Sequence, residues 1–181
     1  MNEQKMTETE TVKAAAAGSR DAFCELYDSY RTRLYRYAFY RLENQADAED
    51  AVSACVLSAW EQIGRLRSPE AFSTWIFRIL SASCNSVIKE RVRRREELPE
   101  DALEYEASET ADDQDPGMRL MLMEALNKLP EDSREMVLLS VIGGLKSSEI
   151  GEIFGMPQGT VRSRLSRSLA AMREELEAGN E

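Results

Sequence analysis

The sequence contains no histidine. That removes imidazole acid/base catalysis, Ser-His-Asp and Cys-His nucleophile pairs, and the usual histidine-bearing zinc sets. Cysteine is scarce as well. Cys24, Cys55 and Cys84 lie far apart, form no CxxC pair and sit among apolar neighbours in helical patterns, so three reduced, partly buried thiols are expected rather than a disulfide framework. No Walker-type loop and no GxGxxG is present to cradle a phosphate. The chain is therefore not expected to be an enzyme, and no metal or cofactor is expected. No stretch approaches the run of about 18 apolar residues that a membrane span needs, and no charged-then-apolar leader opens the chain. The expectation is a soluble, cytoplasmic protein with no membrane insertion. Proline and glycine, 5 and 9 of 181 residues, fall at a few joints. What they leave between them are long helical patterns, and the fold class expected is all-α.

Charge is abundant, with 33 acids against 23 bases and a net charge of -10. Such a balance argues against binding a polyanion, because affinity for nucleic acid comes largely from neutralising phosphates. Its distribution reverses that inference. Ten of the acids lie between Glu96 and Asp115, where there is no Lys or Arg, and the remainder is balanced at 23 of each sign. Residues 97–117 therefore read as an acidic flexible linker, poor in apolar residues and carrying two prolines. It separates two small helical domains, residues 12–96 and 118–178.

Before residue 11 the chain is polar and expected to be frayed. The first strong pattern runs from Asp21 to Leu42, where Phe23, Leu26, Tyr27, Tyr30, Leu34, Tyr37 and Ala38 keep the spacing of one helix face. A second helix is expected from Asp47 to Ile63, with Val52, Val56, Ala59, Trp60 and Ile63 inward and Asp47, Glu49 and Asp50 where the helix dipole favours acids. Ser68-Pro69-Glu70 is a strong start for a third, ending in KERVRRR from Lys89 to Arg95. That many cations exceed what capping requires, so they are candidates for phosphate contact.

Beyond the linker, Met118, Met121, Leu122, Ala125, Leu126 and Leu129 form one apolar stripe, and Met136, Val137, Leu138, Val141 and Ile142 form another. From Leu145 to Leu169 the pattern is helix, tight turn, helix, with Gly155 breaking the first helix and the second starting near Pro157. Val161, Leu165 and Leu169 are expected to face a core, with Arg162, Ser163, Arg164 and Arg167 around the other side. Gly159 and Thr160 keep the leading end thin enough to enter a major groove, where arginine can meet phosphates or guanine edges. An ordinary helical hairpin with a solvated arginine face fits this stretch too.

Taken together, AFCELYDSYRTRLYRYAFYRL, DAEDAVSACVLSAW, FSTWIFRI, ALNKLPEDSREMVLL, EIGEIFGM and GTVRSRLSRSL follow one another as in a known family. The chain resembles the extracytoplasmic-function (ECF) group of sigma-70 family RNA polymerase sigma factors over about residues 12 to 177. The resemblance implies a region 2-like three-helix domain that docks on core RNA polymerase and melts the minus-ten element. It also implies a region 4-like helix-turn-helix domain that reads the minus-35 element of promoter DNA. On that basis the minus-35 contacts fall to Gln158, Thr160, Arg162, Ser163, Arg164 and Arg167, and the minus-ten contacts to Arg65, Arg67, Lys89, Arg91, Arg93 and Arg94. Polymerase docking falls to Asp47, Glu49, Asp50, Ser53, Ala54 and Leu57. The family's usual Gln-Glu-bearing run after Asp50 is replaced here by Ala51 to Val56, so docking would lean on the acids and on packing around Ala54 and Leu57. Partners implied are core polymerase, promoter DNA and an anti-sigma factor. The other reading still open is a sigma-like helix-turn-helix regulator that does not engage polymerase.

Overall fold

The structure, a computed structural model, describes residues 6–97 and 116–178. The described residues are all-α, with eight helices: α1 Glu8–Ala16, α2 Arg20–Leu42, α3 Gln45–Gln62, α4 Phe72–Glu97, α5 Pro116–Asn127, α6 Glu131–Val141, α7 Ser147–Phe154 and α8 Gln158–Ala178. Two short 3₁₀ turns, Ile63–Arg65 and Pro69–Ala71, join α3 to α4. The acidic linker expected over 97–117 lies, apart from its ends in α4 and α5, outside the described residues.

The first helix corrects the expectation that the chain is frayed to residue 11. Thr7 and Glu10 form a capping box in which the Glu10 amide donates to Thr7 Oγ1 at 3.4 Å and the Thr7 amide donates to Glu10 Oε2 at 2.8 Å. Val12 and Ala15 are buried, and Tyr30 of α2 donates its hydroxyl to Glu8 Oε1 at 2.7 Å. Complete burial of a valine contributes roughly 1.5–3 kcal/mol, enough to hold a nine-residue helix that would not form alone. The stabilising partners stand on α2, so the local pattern of residues 7–11 could not reveal them.

Helix α2 is the central strut, touching α1, α3, α4 and α6. Its aromatic residues meet α3 and α4 edge to face: Phe23 with Trp60 at 5.1 Å, Tyr30 with Phe72 at 5.2 Å and Tyr37 with Phe77 at 5.7 Å. It stops at Glu43, which takes a left-handed conformation (φ 55°), and Asn44 at once caps α3 by accepting from the Asp47 amide at 2.9 Å. In the second group α8 runs beneath α5, α6 and α7, with Val161, Leu165 and Met172 buried. The two groups are packed on each other through α2 with α6 and α4 with α7, and their buried side chains form one continuous cluster.

Several side chains lie otherwise than their spacing suggests, Val141 of the α6 stripe being 65% exposed. Leu169 is 41% exposed, because Val161, Leu165, Ser168 and Met172 form the inward row of α8. Trp60 is 40% exposed, resting one edge on Phe23. Cys24 is exposed, whereas Cys55 and Cys84 are buried and burial pushes each thiol up to about 12, so both are neutral and unreactive.

Candidate nucleic-acid interface and docking face

The helix-turn-helix is set by Gly151 and Gly155. A Cβ at Gly151 would lie 2.5 Å from the Met156 carbonyl oxygen, so only glycine lets the chain fold back this closely over α7. Gly155 supplies the left-handed turn (φ 64°), and the Met156 amide donates back to the Gly151 carbonyl at 2.9 Å. The start of α7 is held by the Lys146 amide, which donates to Glu149 Oε2 at 2.6 Å. With Val161 and Leu165 anchored, Gln158, Thr160, Arg162, Ser163 and Arg167 stand exposed along α8. Arg164 differs. Its guanidinium lies 3.9 Å from Asp132 at the start of α6, and its side chain is 35% exposed. Arg167 reaches, among the described residues, its own helix, with Nε 3.4 Å from the Ser163 carbonyl.

The cations assigned to the minus-ten element separate into two kinds. Arg65, Arg67 and Lys89 are exposed. Arg91 is a tie within the scaffold: its Nε donates to Asp47 Oδ2 at 2.6 Å and its Nη1 to the Leu42 carbonyl at 2.8 Å. It thus fastens the end of α2 and the start of α3 to α4. Arg93 and Arg94 both turn back onto Glu90, at 2.7 Å and 3.2 Å, and the hydrogen bond from Arg93 foremost holds the Glu90 carboxyl below its usual range.

On α3, Glu49, Asp50, Ser53, Ala54 and Leu57 share an exposed face, Leu57 at 66%. Asp47 is half-buried beneath Arg91. Aromatic residues of α2 outside its main stripe border this face. A groove of about 640 Å³ between α2 and α3 is lined by Arg31, Tyr35, Arg36, Phe39, Glu49 and Ser53 among others, with Tyr35 stacked on Phe39 at 6.2 Å. Tyr35 and Phe39 are off the main stripe of α2 at four-residue spacing, and that was the available signal. A second groove of about 420 Å³, strongly apolar, lies among α2, α5, α6 and α8 and takes in Val141 and the outward Leu169.

The chain matches two family models: Sigma-70 region 2 over residues 26–96 and Sigma-70, region 4 over residues 119–172. It is 30% identical over 157 residues to the RNA polymerase sigma factor CarQ of Myxococcus xanthus, covering 87% of this chain and 90% of CarQ. To the ECF RNA polymerase sigma factor SigW of Bacillus subtilis it is 29% identical, covering 91% and 94%. Among solved structures it is similar to CnrH in complex with the cytosolic domain of CnrY, with a TM-score of 0.70 and 24% identity, covering 94% and 97%.

Proposed function

The chain belongs to the extracytoplasmic-function group of the sigma-70 family of RNA polymerase sigma factors, and from that we propose that it binds core RNA polymerase and directs transcription initiation at a specific set of promoters. The observation that carries this is the pairing, in one chain and in family order, of a region 2 bundle with an exposed acidic and apolar face and a region 4 helix-turn-helix whose second helix presents Arg162 and Arg167.

In this reading α8 enters the major groove of the minus-35 element. Arg162 and Arg167 lead, and Arg164 exchanges Asp132 for DNA. Helix α3 docks on polymerase through Glu49, Asp50, Ser53, Ala54 and Leu57, with Asp47 shaping the helix start rather than reaching outward. Arg65, Arg67 and Lys89 track the backbone near the minus-ten element, while Arg91 keeps α4 in place and Arg93 and Arg94 join once Glu90 releases them. Separating a duplex costs roughly 1.4 kcal/mol of stacking per step, which contacts made only to the separated strands must offset. No covalent step is asked of this chain, so it acts as a binding subunit rather than an enzyme, and its place is the cytoplasm beside the polymerase. An anti-sigma factor is the natural antagonist. Run-off transcription with core polymerase and a promoter library tests the assignment: transcripts confined to a subset of promoters are expected. Duplex binding with no polymerase binding would give the regulator reading instead.

A further inference from the structure

A helix of nine residues does not persist alone, so α1 stands where its neighbours hold it. Those neighbours are α2 and the two 3₁₀ turns, Ile63–Arg65 and Pro69–Ala71, that lead into α4. The last carbonyl of α1, at Ala16, lies 3.5 Å from where a Cβ would stand on Gly64, so the first turn is laid against the end of α1. At the opposite end Tyr30 ties α1 to the start of α4. Its hydroxyl donates to Glu8 Oε1 at 2.7 Å and also meets Ser73, while its ring packs edge to face on Phe72, the first residue of α4, at 5.2 Å. Arg33 lies over the same ring at 4.3 Å. Across the second turn, hydrogen bonds from its own backbone and from Ser68, together with the charge of Lys13 on α1, hold the Glu70 carboxyl below its usual range.

The segment supported in this way, residues 63–71, carries Arg65 and Arg67. Ile63 is buried and Leu66 packs against the core, so both arginines stand exposed beside inward anchors. The Leu66 amide donates to the Ile63 carbonyl at 3.0 Å and the Ala71 amide to the Ser68 carbonyl at 3.0 Å, which closes each turn on itself. A loop that carries binding side chains depends on a rigid element behind it, and order already present before binding is order that binding need not impose. We infer that α1 is the positioning element for this loop: by backing Gly64 and, through Tyr30, by fixing Phe72, it holds Arg65 and Arg67 in the arrangement that meets the separated strand of the minus-ten element. The inference rests on the sigma-factor assignment. It goes beyond that assignment, because α1 precedes the segment matched to region 2, which begins at residue 26.

The test uses the full chain bound to core polymerase. Tyr30→Phe keeps the ring on Phe72 and removes the hydroxyl; Glu8 is exposed and regains water, so little stability should be lost. Val12→Asp sets a charge in the buried face of α1 and undocks it. The probe is a forked template with an unpaired minus-ten segment and no minus-35 element, its affinity read beside core polymerase affinity at a temperature well below each variant's melting point. Template affinity should fall about threefold in Tyr30→Phe and about tenfold in Val12→Asp, with polymerase affinity within about twofold, because two strand-binding arginines lose their fixed placement. In an R65A/R67A background neither substitution should weaken template binding further, since α1 acts through those side chains. A helix that merely stabilises the bundle would lower polymerase affinity as well, and its effect would add to that of the arginine substitutions. Either result, or a template affinity unchanged in both variants, overturns the inference and leaves the sigma assignment intact. If Val12→Asp unfolds the first group, Tyr30→Phe decides alone. A wild type that binds no polymerase would overturn the sigma assignment and the inference with it.

Discussion

The arginines that close α4 and those along α8 are the same residue type at similar density, yet the structure uses them differently. Arg91, Arg93 and Arg94 are engaged with Asp47 and Glu90 within the first group of helices. Arg162 and Arg167 meet no acid among the described residues. A guanidinium already holding a carboxylate must surrender that contact before it gains a phosphate, so its net contribution to DNA affinity is smaller. Counting cations along a sequence locates basic segments. Only the placement of their acids tells which cations are available.

The sharpest way to break the comparison is to move α8 without touching its arginines. Gly151→Ala forces a Cβ to 2.5 Å from the Met156 carbonyl, which the turn relieves only by shifting backbone. A cost of about 3 kcal/mol to the α7–α8 unit is expected, with duplex binding lost in proportion. Thermal unfolding alongside a duplex titration checks it, and unchanged affinity would mean that the turn does not place the arginines.

Next in size is the reading face itself. Arg162→Ala and Arg167→Ala should each weaken duplex binding by about 1–3 kcal/mol, with relaxed specificity at one position for a base contact or a salt slope shallower by about one for a phosphate contact. Arg164→Ala should cost less, since Asp132 already holds that side chain, and Asp132→Asn should tighten binding. Equal losses at all three arginines would erase the distinction drawn from their pairing.

Arg91 sharpens the same contrast from the other side. Arg91→Ala removes a charge-assisted bond to Asp47 and one to the Leu42 carbonyl, both about one-third exposed or better shielded. With that exposure discounted, a loss of about 1–2 kcal/mol of stability is expected, visible as a lower melting temperature. Arg94→Ala should leave the melting temperature where it is. A melting temperature unaffected by Arg91→Ala would return Arg91 to the DNA-facing set.

The helices were legible because their ends are written locally. Ser19 and Asn44 cap α2 and α3, Ser68-Pro69-Glu70 precedes α4 and Gly155 ends α7, each within a few residues of the pattern it bounds. The helix-turn-helix face was readable for the same reason. What escaped the reading depends on partners distant in the chain. Helix α1 needs Tyr30, 22 positions from Glu8, and the Arg91 tie crosses 44 positions to Asp47. The contact of Glu135 with the first group reaches residues 98 and 54 positions away, Tyr37 and Ser81. Charge runs gave no hint that a glutamate inside the SREM stretch of α6 would be buried.

The smallest expected effect lies at Glu90, which restrains the paired arginines of α4. Its carboxyl is held below its usual range, so whatever it contributes to the helix end is fully present above the unfolded-state value and fades as the pH falls through the lowered folded value. The side chain is 39% exposed and open to solvent screening, so its titration should barely move the melting temperature. Its effect on DNA should be easier to see. Glu90→Gln removes the charge but keeps the length, which frees Arg93 and Arg94 to meet phosphates. Affinity for forked or single-stranded DNA should rise by less than about tenfold and the salt slope should steepen by about one. The wild type should approach the variant as the solution is acidified through the lower carboxylate range, because protonation does what the substitution does. An affinity that is the same for both at neutral pH would mean that Glu90 does not compete with DNA for these arginines, and that the two basic stretches differ in position rather than in pairing.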